Sequence, residues 1–95
     1  MSALWIANIS VSDPVQFAEY SKRAGPAIAK HGGVFLARGG AHVQLEGREW
    51  PRNVVVRFES LEAAQACYHS SDYQEAISYA RDASQRQLVI VEECA

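Results

Sequence analysis

The chain has 95 residues, a formal net charge of −2, and a composition that is 48% hydrophobic and 21% charged. This describes one domain, residues 1–95, with a single core near the small end of comfortable stability. The arginines are scattered rather than gathered on one face, which argues against nucleic acid or an anionic membrane as partner.

No apolar run approaches the roughly 18 residues that cross a bilayer. Met1-Ser2-Ala3-Leu4 carries no basic segment leading into an apolar one, so a signal peptide is not expected and a cytoplasmic location is the default. Cys67 and Cys94 show no CxxC spacing and no neighbouring His pair. Two reduced thiols are expected, with no metal site, disulfide or cofactor.

In chain order, Leu4–Val11 reads as a strand with Trp5, Ala7, Ile9 and Val11 on one face and Leu4, Ile6, Asn8 and Ser10 on the other. Both faces are largely apolar. Asp13-Pro14 opens a helix: Asp13 accepts from first-turn amides, and Pro14 suits the first helical position. Phe17, Tyr20, Ala24 and Ile28 form its inner stripe. Pro26 cannot donate to the carbonyl of Lys22, so a kink or restart is expected at Gly25-Pro26. Gly32 suits a left-handed cap after Lys30 and His31.

A second strand is expected over Gly33–Arg38. Ala41–Leu45 alternates apolar and polar, so Gly39-Gly40 marks either a bulge within this strand or a break after it. Residues 47–52 form a loop in which Trp50 covers the edge of a core or partner. Asn53–Phe58 is a third strand, apolar on both faces except for Arg57. Ser60 caps a second helix whose inner stripe is Leu61, Ala64, Cys67 and Tyr68. Ser70-Ser71-Asp72 then recaps a shorter helix carrying Tyr73, Ala76, Ile77 and Ala80. Leu88–Val91 closes the chain as a strand.

The order βαββαβ with right-handed crossovers gives an α+β, ferredoxin-like domain: a four-stranded antiparallel sheet with both helical segments on one side. Strands apolar on both faces then leave one face uncovered. A homodimer formed through that open face across a two-fold axis is the simplest partner.

Several segments together carry a resemblance. They are the opening strand ending in Asp13-Pro14, Tyr20, Gly25-Pro26, the glycine-bracketed stretch Gly32 to Gly40, Phe58 to Ala64, and Tyr68 to Tyr73. Across nearly its whole length the chain resembles the family catalogued as domain of unknown function 1330. The resemblance implies the dimeric α/β-barrel fold and implies no activity. The wider barrel group includes cofactor-independent monooxygenases, haem-degrading enzymes and isomerases, with sites between helices and sheet. Alignment to its monooxygenase-like members puts Phe58 where they carry a tryptophan and Cys67 where they carry a histidine, while Asn8 lies on the strand that supplies an asparagine in some.

Polar residues that can converge between helices and sheet are Tyr20, Arg38, His42 and Tyr73, with Arg81 more remote. Arg38 ends a buried apolar run, and its guanidinium can hold a carboxylate or enolate through paired donors, or can bond carbonyls exposed near Gly39-Gly40. The tyrosines serve as pocket walls or as core aromatics. His42 is a base near neutral pH or a solvent-facing residue. Three readings follow: a homodimer binding a small anionic or aromatic metabolite, a cofactor-independent enzyme of monooxygenase or isomerase type, and a purely structural dimerisation module.

Overall fold

In the computed structural model, which describes residues 1–94, the elements are β1 (Ala3–Val11), α1 (Pro14–Lys30), β2 (Val34–Arg38), β3 (Arg52–Phe58), α2 (Leu61–His69), α3 (Ser71–Ala80) and β4 (Ser84–Glu92). The sheet order is β2-β3-β1-β4, and every pair is antiparallel. This is the expected ferredoxin-like arrangement, with the second helical segment split into α2 and α3. No helix among the described residues is long and apolar enough to cross a membrane.

The core lies between the helices and one sheet face. Trp5, Ala7 and Ile9 of β1 face it together with Val54, Val56 and Phe58 of β3, all buried. From α1 come Phe17, Tyr20, Ala24 and Ile28, and from α3 come Tyr73, Ala76 and Ile77. Trp5 is the hub: its ring meets Phe58 at 5.6 Å and the Tyr73 edge at 5.1 Å. Each such aromatic buries more apolar area than an aliphatic side chain, at about 25 cal/mol per Å².

Capping signals act where the sequence places them. Asp13 accepts from the amide of Gln16, Ser60 from Ala63, and Ser70 from Tyr73. At the end of α1, Gly33 N–H donates to Ile28 C=O and Gly32 N–H to Ala29 C=O, with Gly32 at φ +82°. This pair of bonds satisfies the last carbonyls and turns the chain into β2. Gly33 is demanded by space instead: a Cβ there would lie 2.5 Å from Ile28 Cγ2 and 2.9 Å from Phe58 Cζ.

Three local expectations are corrected, and one open alternative is decided. Helix α1 runs unbroken through Gly25-Pro26, with no restart. Proline removes only one ladder bond, and Ala24, Ala27 and Ile28 hold both sides of it in the core. Gly39-Gly40 ends β2 and is not a bulge; Gly39 adopts φ +71°, and its N–H donates to Asn53 C=O. The irregularity lies earlier, at Leu36, between the pairs Phe35–Val56 and Ala37–Val55. Residues 41–45 form no strand, and Val43 and Leu45 are exposed. Finally, β4 begins at Ser84, four residues before the expected Leu88.

The open face carries an apolar band between a charged end, where Arg57 bonds Glu93 beside Leu4, and an amide end. Leu4, Ile6, Val55, Val89 and Val91 share the apolar part. Beyond it a ladder of amides crosses three strands: Gln87 donates to Asn8 at 2.9 Å, Asn8 to Asn53 at 2.7 Å, and Asn53 to the carbonyl of Trp50 at 3.2 Å. Asn8 is thereby spent on neighbouring strands.

Candidate functional site

The bulge at Leu36 decides where Arg38 goes. A regular β2 ladder would set Arg38 opposite Asn53, on the open face. With Leu36 as an extra residue, Arg38 instead pairs with Val54 and turns to the helix face. Its guanidinium carbon sits 4.1 Å from the centre of the Phe35 ring. On the other side it lies against Gly25 of α1, where a Cβ would come within 3.2 Å of Nη2. Gly25 therefore leaves the seat in which this guanidinium rests.

Arg52 reaches the same place from β3. It pairs with Ile9 on the helix face and lies 5.9 Å from the Phe17 ring centre. Its guanidinium occupies the space that a Cβ on Gly39 would need. Neither Arg38 nor Arg52 makes an ion pair among the described residues, unlike Arg23 and Arg57, which bond Glu19 and Glu93.

The two arginines stand at the mouth of a small cavity of about 30 Å³ between α1 and the sheet, floored by Trp5, Ala7 and Val54 and walled by Phe17, Tyr20 and Phe35. That volume suits a water or a methyl-sized tip rather than a whole metabolite. It is continued by an open trough of about 670 Å³ along the first turns of α1, which shares Phe17, Ser21 and Arg52 with it. No acidic residue borders either space. In a chain of net negative charge, two unpaired cations stand over an apolar cleft.

The tyrosines meet each other. Their hydroxyl oxygens lie 2.9 Å apart, and Arg86 Nη2 donates to Tyr73 Oη at 3.2 Å. Arg86 also stacks on Tyr20, 4.7 Å from its ring centre. Tyr73 is fully buried, and its hydroxyl is pushed far above the ordinary phenol range, first by burial and then by the neighbouring Tyr20. Only the Tyr20 ring reaches the cavity.

His42 lies outside, in the loop after β2, 3.8 Å from Glu49. Arg81 follows α3 and bonds Gln74. Cys67 is buried, and burial is the main cause that pushes its thiol up to about 11, so it is no nucleophile at neutral pH. No cluster of His, Cys, Asp or Glu suited to a metal occurs among the described residues.

Tyr20, Arg38 and Tyr73 lie on the helix side of the sheet, joined there by Arg52 and Arg86, which the sequence pattern does not single out. Both flank Ile9 on one face. The signal was available for Arg86, which is in phase with Leu88 and Ile90 once β4 is extended back to Ser84.

The model of the domain of unknown function DUF1330 matches residues 2–94. The chain belongs to the DUF1330 family. No curated protein matches the DUF1330 chain. Among solved structures, a protein of unknown function from Rhodopseudomonas palustris is 17% identical with a TM-score of 0.78, over 99% of this chain and 83% of that one. SnoaB, a cofactor-independent oxygenase from Streptomyces nogalater, is 13% identical with a TM-score of 0.67, over 99% and 94%. A dimeric protein of unknown function with a ferredoxin-like fold from Bacteroides fragilis is 14% identical with a TM-score of 0.66, over 97% and 96%. At these identities the likeness establishes the fold alone.

Proposed function

We propose that this DUF1330 chain is a cytoplasmic homodimer that binds a small anionic metabolite with an apolar or aromatic body between α1 and the sheet. The observation that carries the reading is the pair Arg38 and Arg52, both without a carboxylate partner among the described residues, at the mouth of an apolar cleft that no described acid borders. A guanidinium keeps its charge at all physiological pH values and presents paired donors to a carboxylate. Phe17 supplies a flat wall of the trough against which an apolar body packs, while Tyr20 and Phe35 line the small recess that takes its tip.

Dimerisation is supported by the dimeric ferredoxin-like proteins of similar fold and by the apolar band of the open sheet face. Proton-transfer catalysis has less support. His42 is away from the cleft, while Cys67 and Tyr73 hold their protons well above neutral pH.

A metabolite-library thermal shift on wild type and Arg38→Ala tests the reading. A compound that stabilises wild type and not the variant supports the anchor and names the ligand class. If every stabilising compound acts equally on both proteins, Arg38 anchors nothing. Sedimentation at micromolar concentration tests the dimer, and a monomer there removes it.

A further inference from the structure

Arg86 carries more capacity than its contacts use. On β4 it faces the helices opposite Ile9, with one nitrogen on Tyr73 and one flat side on Tyr20. Its other terminal nitrogen, Nη1, is buried and has no hydrogen-bond partner among the described residues. Buried donors are nearly always satisfied, and a guanidinium cannot escape the cost by losing its proton. Propping the two tyrosines explains Nη2 and the stacked ring; it leaves Nη1 unexplained.

The same guanidinium borders a hollow of about 390 Å³ between α3 and β4, enclosed also by Tyr68, Ile77, Arg81, Ser84 and Leu88. Two of these six residues are arginines and none is acidic. Arg81 is tied only by a long bond of 3.4 Å to Gln74, which is readily given up. The Ser84 hydroxyl donates to Ala80 C=O at 2.7 Å, so its position is fixed. Tyr68, Ile77 and Leu88 provide apolar walls. The hollow shares no residue with the α1 cleft.

We propose that this hollow is a second oxyanion site, distinct from the α1 cleft. It takes the carboxylate or phosphate end of a small molecule with a short apolar body, with the guanidinium groups of Arg81 and Arg86 as the donors. Either anion matches the guanidinium fork, which supplies parallel N–H groups in one plane. The volume falls within the range of small-molecule pockets, and the mix of apolar wall and few converging donors is the usual one.

The test is an amide NMR titration of the full chain with sodium phosphate and, separately, sodium benzoate at constant ionic strength. It is run on wild type, Arg81→Ala, Arg86→Gln and Arg38→Ala. In wild type, at least one probe moves the Ser84 and Ile77 amides saturably, and the probe that does so separates phosphate from carboxylate ligands. Arg81→Ala weakens that binding about tenfold, the factor carried by one lost charge-assisted bond. Arg38→Ala leaves it unchanged. Arg81 is exposed, so its variant stays folded and readable even if Arg86→Gln does not. The proposal is overturned if neither probe moves Ser84 and Ile77, or if Arg81→Ala binds as tightly as wild type. Shifts confined to Phe35 and Val54 also overturn it, and leave the α1 cleft standing.

Discussion

The buried hydroxyl pair offers a sharp energetic test, because its two members are not equivalent. Tyr73 Oη takes a bond from Arg86 and shares one with Tyr20, whereas Tyr20 Oη meets only Tyr73 in hydrogen-bond geometry. In Tyr73→Phe the shape is kept, but a buried phenol and one nitrogen of a buried cation lose their partner. An orphaned buried group costs about 1–3 kcal/mol, and more when it is charged, so Tyr73→Phe should cost about 2–4 kcal/mol. Tyr20→Phe removes one neutral bond while Arg86 still donates to Tyr73 Oη, and should cost about 1–2 kcal/mol. Once the Tyr73 hydroxyl is gone, removing that of Tyr20 eliminates an orphan. The double variant should then be no less stable than Tyr73→Phe alone, a coupling of about 1–2 kcal/mol. Urea unfolding at pH 7 and fixed protomer concentration measures all three. In a domain of this size Tyr73→Phe should lower Tm by roughly 10–30 °C. Additive costs within about 0.5 kcal/mol, or a Tyr73→Phe as stable as wild type, refute the reasoning.

Two further outcomes follow from the packing. Gly33→Ala drives a Cβ into Ile28 and Phe58, and overpacking of this kind should destabilise by about 1–3 kcal/mol, whereas Gly40→Ala, with open space around it, should change stability by less than about 0.5 kcal/mol; thermal melts of the pair check the contrast. Exposed Cys94 should react with a thiol reagent at pH 8 while buried Cys67 stays unmodified until the chain unfolds. Because the folded state raises the Cys67 value from 9.0 to about 11, its contribution to stability is intact below pH 9 and is lost as pH rises through that window. Stability that rises with pH across it contradicts the assignment.

What the sequence makes legible is what local rules govern. Asp13-Pro14, Ser60 and Ser70 mark helix starts because a side-chain oxygen must meet orphan amides within a few residues. Gly32 marks a helix end because its backbone must turn left-handed. The fold then follows from element order and the handedness of crossovers. The site depends on features without a local marker. Arg38 reaches the helix face through a bulge at Leu36, a residue suited to a regular strand, whereas Gly39-Gly40 drew the expectation of irregularity to itself. Arg86 has no such marker either, because the apolar signal of β4 begins only at Leu88. Its polar first half belongs to an edge strand, where alternation is weak and burial partial. The tyrosines were rightly placed on the helix side, but whether two hydroxyls face a ligand or each other depends on side-chain angles no pattern records.

The central claim is that Arg38 and Arg52 together hold an anion in the α1 cleft. The most direct measurement is an NMR titration with phenylacetate that follows the amides of Phe35 and Val54 in wild type and in the Arg38→Ala/Arg52→Ala double variant. The account predicts saturable shifts at both residues in wild type and their loss in the folded variant. The same shifts persisting in the variant, or none in wild type with phenylacetate in large excess, would contradict it.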